Sequence, residues 1–413
     1  MKVSILSHCS HNKGDNSVLG FLNKALPKNI NIHISTSSGE LPFWFSSNNV
    51  TTSMWGCGKR FSVDNESFTK KVIRNLRNKI YDSLSYIVLY LYSQDYDKLA
   101  LSLLNFIIDE KFSDNLKNSD KVICTGGHHI SSVLDKDGVN PQLMDMLYTI
   151  LCGYDLYLWA QSIGPVNTSK KYITKSISKL LNRTKLICYR DKDSLIFLND
   201  NSVSTRKILV DDSVFGLSML LNSEKNLEDI NPDKDKFIIV ALYTAGKKQK
   251  NNIDNYLNQF VSPLKNLISE GYKISLLPMQ YKGLQDDERS ELLKLKELVG
   301  SDSIQVLMDD MSPMDTLRYV SSASLLIGHK THSVVYGLAN SIPTIAISYH
   351  PKTTYFMHRF SQDDFVIEDD IFSSLILQEK IDKIKSNYNK NLAIENKEII
   401  GKNVIKSFKE ILK

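Results

Sequence analysis

Ser324-Leu-Leu-Ile-Gly-His-Lys-Thr-His-Ser-Val-Val-Tyr-Gly-Leu-Ala339, followed closely by Pro343-Thr-Ile-Ala-Ile347, decides the fold class of this chain. The apolar run Ser324–Ile327 predicts a strand, and Gly328 permits a tight turn. A helix follows from about Ser333 to Ala339. The second apolar run, Pro343–Ile347, predicts another strand, which ends in Ser348-Tyr-His-Pro-Lys352. Two strands joined by one short helix run parallel, with the helix on a face of the sheet.

The same alternation extends outward in both directions. Strands are predicted at 237–242, 273–278 and 304–307, with helices at 254–270, 286–299 and 312–322. Upstream, strands are predicted at 2–7, 30–35, 121–124, 156–160, 185–189 and 208–210. Helices are expected from about Asn16 and over 142–152, 169–182 and 192–199, and the Lys-rich tail 376–413 is helical by its amphipathic pattern. The fold class is therefore α/β: two Rossmann-like doubly wound domains whose sheets present their carboxyl rims to a shared cleft. The polar, charged stretch 222–236 reads as a linker. Domain limits fall at 1–222 and 237–390, with a C-terminal helix at 391–413 that can pack back on the first domain.

Residues 43–118 depart from this rhythm and read as a helical insertion. They carry Trp44 and Trp55, then Lys59, Arg60, Lys70, Lys71, Arg74, Arg77 and Lys79. Ile80, Leu84, Ile87, Val88 and Leu91 then share one helical face. A cap packed on the first domain is the expected role. The basic amphipathic pattern over 59–91 also suits peripheral contact with the inner face of a membrane.

Totals exclude several functional classes. The chain has 413 residues, too many for one small domain, and a formal net charge of +5, too mild for a dedicated nucleic-acid binder. The five cysteines (Cys9, Cys57, Cys124, Cys152, Cys188) are scattered without a CxxC pair, which fits a reducing cytoplasm. The first residues read as a buried strand rather than a signal peptide. The longest apolar run, Tyr86–Tyr92, falls far short of the roughly 20 residues of a membrane span.

Ligands of open parallel sheets bind outside the carboxyl ends of the strands. Gly328-His-Lys-Thr-His332-Ser333 is the richest of these ends. A helix N-terminus offers N–H groups and a positive dipole end to phosphate or carboxylate. Lys330 adds a charge, and His332 can exchange a proton with a substrate oxygen. Other strand ends carry Gly14-Asp15-Asn16, Thr125-Gly126-Gly127-His128-His129, Gln161, Arg190-Asp191, Asp211-Asp212, Lys247 and Tyr349-His350-Pro-Lys352. Plainer roles stand beside each: a packing histidine at 332, an ordinary rim loop at 128–129, solvated histidines at His8 and His11, a helix cap or salt bridge at Arg190-Asp191, and a packing ring at Tyr349. No His/Asp/Cys cluster has metal-ligand spacing, so neither metal nor cofactor is expected.

Ile327 to Lys352 resembles the signature of the polysaccharide pyruvyl transferase family: Gly, any residue, Arg, Leu, His, a helix, a Pro-led strand, then Tyr and Lys. Gly14-Asp15-Asn16, Thr125-Gly-Gly-His128, Gln161-Ser-Ile-Gly-Pro165, Arg190-Asp-Lys-Asp-Ser194 and Asp211-Asp212 match further family segments in order. The resemblance implies a fold like that of two-domain (B-type) glycosyltransferases. It also implies transfer of pyruvate from phosphoenolpyruvate onto two hydroxyls of a sugar, giving a cyclic ketal. The acceptor would be a surface polysaccharide, exopolysaccharide or capsule, or its lipid-linked oligosaccharide precursor. Phosphoenolpyruvate would sit at Gly328, Lys330, Thr331, His332 and Ser333, and the acceptor near the first-domain loops with Gly14, Asn16, Gly126, Gly127, His129 and Gln161.

That reaction needs an acid to protonate the methylene carbon and a base for the attacking hydroxyl. His332 is the acid candidate, and Asp15, His128 and His129 are base candidates. Tyr349, His350, Lys352 and Lys247 would complete the anion pocket. Two departures stand out. Lys330-Thr331-His332 replaces Arg-Leu-His, and a lysine lacks the bidentate fork of arginine. The stretch Ala241–Lys248 lacks the Arg found in many family members. Two rival readings remain: a glycosyltransferase using a sugar-nucleotide donor, and a non-catalytic sugar-binding relative.

Overall fold

Apolar runs bounded by Gly or polar turns become strands, and every paired strand is parallel. The computed structural model describes residues 1–6, 13–45, 49–57, 67–132, 135–223, 236–244, 252–281 and 287–413. The first sheet contains β1 (Lys2–Leu6), β2 (Asn31–Thr36), β3 (Val50–Met54), β4 (Lys121–Thr125), β5 (Leu156–Gln161), β6 (Leu186–Tyr189) and β7 (Lys207–Leu209), in the order β3-β2-β1-β4-β5-β6-β7. The second contains β8 (Phe237–Ala241), β9 (Lys273–Leu276), β10 (Ile304–Val306), β11 (Leu325–Gly328), β12 (Thr344–Ser348) and β13 (Val366–Glu368), in the order β10-β9-β8-β11-β12-β13. Each order reverses once, at β1/β4 and at β8/β11. Such reversals open a crevice at the carboxyl ends of the strands.

The helices are α1 (Lys13–Ala25), α2 (Phe68–Ser93), α3 (Asp97–Asn105), α4 (Glu110–Leu116), α5 (Pro141–Leu151), α6 (Lys171–Asn182), α7 (Lys192–Asp200) and α8 (Ser213–Ser223). They continue as α9 (Ile253–Ser269), α10 (Arg289–Val299), α11 (Pro313–Ser321), α12 (Thr331–Ala339), α13 (Pro351–Arg359), α14 (Ser374–Asn387) and α15 (Lys390–Leu412). The tail is thus two helices rather than one, interrupted where Tyr388 adopts an extended backbone.

Two compact units result. One comprises Met1–Cys9, Leu26–Asp211 and Lys406–Lys413, and the other Ser10–Ala25 and Asp212–Ile405. The division therefore runs at 211/212 rather than through 222–236, and α1 counts with the second unit because it packs along α8. Phe215 of α8 also stacks on Phe360, with ring centroids 5.3 Å apart. Most of 222–236 lies outside the described residues.

In the first unit, Val88, Leu89 and Tyr92 of α2 share a buried cluster with Leu143, Leu147, Ile173 and Ile177. Each such side chain contributes about 1.5–3 kcal/mol on burial. The chain's last turns pack here as well: Trp159 Nε1 donates to Ser407 Oγ at 3.1 Å, and Phe408 meets the indole edge-on at 5.0 Å. The stretch 43–118 is not purely helical. Val50-Thr-Thr-Ser-Met54 pairs with β2 as the edge strand β3. The turn after it is tied to α5 by Asp145, which accepts from the backbone N–H groups of Gly56 (3.0 Å) and Cys57 (2.6 Å).

Candidate active site

β11 ends at Gly328, and α12 begins at Thr331 with Lys330 as its N-cap. His332 therefore lies in the first helical turn at the β8/β11 reversal. Its Nε2 stands 3.6 Å from Asp212 Oδ2, an ion-pair distance rather than a hydrogen bond. Asp212 is itself buried and fixed at the start of α8, where Oδ1 accepts from the backbone N–H of Val214 at 3.1 Å. The imidazole also meets Gly14 of α1. A Cβ built there would lie 2.2 Å from Nδ1 and 2.4 Å from Cε1 and Cγ, on the face of the ring. So Gly14, Asp212 and His332, all in the second unit, meet at one point. His332 keeps 22% of its side chain exposed, which leaves it a route to a ligand.

Lys330 is differently placed. Its side chain is buried, and Nζ donates to Gln280 Oε1 (3.0 Å) and Glu288 Oε1 (3.2 Å). Glu288 is buried too, and its Oε2 accepts from Met279 N–H at 2.7 Å. Burial pushes the Glu288 carboxyl above its ordinary range, opposed by the Lys330 ammonium. The pair is neutral as a unit, so much of the field that an isolated cation would offer an anion is cancelled at its source. Lys13 is held in a similar way: Nζ donates to Asp310 Oδ1 (3.0 Å) and Met311 O (2.9 Å) and lies 4.6 Å from the centre of the Tyr281 ring. Neither Glu288 nor Lys13 stands out in the sequence, because their partners are distant in the chain.

The remaining residues of this rim are structural in their contacts. Ser333 is fully buried and donates to Lys330 O at 2.6 Å. Thr331 Oγ1 lies 2.7 Å from Thr353 Oγ1. His329, unremarked in the sequence, is fully buried between Tyr256 OH (2.6 Å from Nδ1) and Asp369 Oδ1 (3.1 Å from Nε2). Tyr349 stacks on Tyr243 with ring centroids 4.2 Å apart. His350 caps α13 by accepting from Lys352 N–H at 3.1 Å. Tyr349 and His350 also line a pocket of about 800 Å³ with Asp363, Glu368, Asp369 and Asp370. Four carboxylates give that pocket the wrong sign for a small dianion. Lys247 lies outside the described residues, as do His8 and His11.

In the first unit, β4 runs into Gly126 and Gly127, both with positive φ (61° and 71°). A side chain at Gly127 would strike the His129 ring at 2.8 Å. His129 is buried, its Nε2 3.3 Å from Thr125 O, while His128 is half-buried. Gln161, the last residue of β5, is fully buried, and its Nε2 lies 2.9 Å from Cys124 Sγ. Asp191 caps α7, accepting from Ser194 N–H at 2.8 Å, and Arg190 Nε donates to Ser162 Oγ at 3.0 Å. Asp15 and Asn16 occupy the first turn of α1 in the second unit. Among the described residues, no group of His, Cys, Asp and Glu is arranged to hold a metal ion.

Two parallel sheets with flanking helices, one in each unit, give the chain an α/β two-domain fold that is GT-B-like. UDP-GlcNAc 2-epimerase from Methanocaldococcus jannaschii matches with a TM-score of 0.56 at 11% identity, covering 100% of this chain and 99% of that one. The Neisseria meningitidis UDP-GlcNAc 2-epimerase, bound to UDP-GlcNAc, gives 0.56 at 12% identity over 100% and 99%. The Rickettsia bellii UDP-N-acetylglucosamine 2-epimerase gives 0.53 at 10% identity over 100% and 96%. At such identities the likeness concerns the fold alone. A search of the curated proteins finds no match. The family model for polysaccharide pyruvyl transferase matches residues 17–351, so the chain belongs to that family and is a transferase.

Proposed function

We propose that this protein transfers the pyruvyl group of phosphoenolpyruvate to a saccharide acceptor, with His332 as the proton-transferring residue. The observation that carries this reading is the placement of His332: partly exposed, facing Asp212, and backed by Gly14 at the β8/β11 reversal. In the reaction, C3 of the donor takes a proton and becomes a methyl group. One sugar hydroxyl adds to C2. The second displaces phosphate from C2 to close the ketal. The two hydroxyl protons balance the methyl group and the released phosphate. His332 serves as the acid that feeds C3, with the Asp212 carboxyl group facing its ring. The N-terminal turn of α12 supplies backbone dipoles to the anionic donor. Asp15, in the same unit as His332, remains a base candidate.

The neutral Lys330–Glu288 pair favours a second reading. A donor held without a strong cation at this position is compatible with a sugar nucleotide, and the M. jannaschii and N. meningitidis proteins of similar fold are UDP-GlcNAc enzymes. One experiment separates the two. Purified protein is incubated with a glycan panel and either phosphoenolpyruvate or UDP-sugars. Phosphate release that needs both phosphoenolpyruvate and glycan, and that His332→Ala lowers at least about 100-fold, supports pyruvyl transfer. UDP release without phosphate release supports the alternative.

A further inference from the structure

We propose that the outward face of α2 is a docking surface for an anionic lipid bilayer. Phe68, Val72, Ile73, Leu76, Ile80, Ile87 and Tyr90 are all exposed, Phe68 by 79% and Ile73 by 66%. At 100° per residue these seven fall within an arc of roughly 140° that runs the length of the helix. The residues that fix α2 to the first unit, Tyr81, Val88, Leu89 and Tyr92, lie on the opposite side. The apolar stripe is therefore surplus to packing. A helix that needs only one buried face to hold its place has been given two.

Charge identifies the occupant. Lys70, Lys71, Arg74, Arg77 and Lys79 fall between Phe68 and Tyr81, and no Asp or Glu does. At about 100° per residue Lys79 falls within the apolar arc near one edge and Arg77 lies roughly 40° beyond the other, where long side chains can lay their stems along lipid and keep their charges at the headgroups. An apolar face rimmed by cations is the pattern of a helix lying in the plane of a membrane interface. A second copy of the chain would set five cations against five, an unfavourable pairing. No helix among the described residues is long and apolar enough to cross a membrane, so the contact is made at the surface.

Flotation of the full-length protein with vesicles tests it. Phosphatidylglycerol–phosphatidylcholine vesicles are compared with phosphatidylcholine alone. The protein is expected to float with the anionic vesicles at least about tenfold more than with the neutral ones, and less at raised salt. The double variant Ile73→Ser/Leu76→Ser and the double variant Lys70→Glu/Lys71→Glu should each reduce flotation by a similar factor. Their thermal midpoints should match the parent, since all four side chains are exposed. Equal recovery with both vesicle types, or full flotation by the Ser variant, overturns the proposal. So does a dimer by light scattering that the Ser variant abolishes while no flotation occurs, because that would give the face to a second copy.

Discussion

The imidazole of His332 rests on the α-carbon of Gly14, so near that one added methyl group would stand 2.2 Å from Nδ1. Glycine is a poor helix residue, about 1 kcal/mol worse than alanine in a helix interior. If residue 14 had only a helical role, Gly14→Ala would stabilise the protein. The contact predicts the reverse for function. Gly14→Ala should lower kcat at least about tenfold, because the ring must leave its position and misplacement of about 1 Å can cost 100-fold. Steady-state kinetics beside a melting curve will decide it; unchanged kcat would remove His332 from the chemistry.

Asp212 performs two tasks that a substitution can separate. Asparagine can still accept from Val214 N–H, while the negative charge facing His332 disappears. Asp212→Asn should leave urea stability within about 1 kcal/mol of the parent and reduce turnover at least about tenfold. Asp212→Ala should lose turnover and, in addition, about 1 kcal/mol of cap stability. Equal turnover in parent and Asn variant would show that the charge is irrelevant.

The buried pair Lys330–Glu288 predicts strong non-additivity. Removing one partner leaves the other charge in the interior without compensation. Glu288→Ala or Lys330→Ala should each destabilise by about 3–5 kcal/mol in urea unfolding. The double replacement Lys330→Met/Glu288→Leu should cost much less than the sum of the single changes. Additive behaviour would mean that water or another group screens the pair.

His33 of β2 makes stability depend on pH. Its ring is fully buried, with Nε2 2.9 Å from Ser53 Oγ and Nδ1 3.3 Å from Ser4 Oγ. Burial, aided by Lys2 and Lys111, pulls its pKa from 6.5 down to about 4. A depressed pKa means that the unfolded chain binds the proton more readily. The contribution of the neutral ring is full above pH 6.5 and is lost as pH falls from 6.5 toward 4, on the order of 3 kcal/mol in total. Urea midpoints between pH 7 and pH 4 should show this loss. His33→Asn should flatten that part of the profile; an unchanged slope would assign the loss to other groups.

Much of the architecture is legible because a strand buried on both faces must be apolar throughout. Phe237–Ala241 and Leu325–Gly328 announce themselves for this reason, and the Gly and polar residues after them mark the rim. Edge strands carry a weaker signal: β7 and β10 still show short apolar runs, whereas β3 and β13 do not stand out. β3 reads Val-Thr-Thr-Ser-Met and β13 has three residues, and each is covered by only one neighbouring strand. His332 and Gly14 could be singled out from their places after strands. Their contact could not, because it depends on packing between segments about three hundred residues apart, nor could the neutralisation of Lys330 by Glu288, which lies 42 residues away on another element. The contact of Gln161 with the buried Cys124 sulfur was equally invisible, since a polar residue at a strand end carries no mark of what its amide meets.

Neither compact unit is a continuous run of chain. The polypeptide passes between them at 9/10, 25/26, 211/212 and 405/406. On the ribosome, the first unit must wait for Ser407 and Phe408, made 248 or more residues after Trp159, before that indole finds its partners. The second unit begins with α1 but meets α8 only some two hundred residues later in synthesis. The two halves cannot mature one after the other as independent modules, and dissecting the gene between them will not yield two proteins that each fold alone.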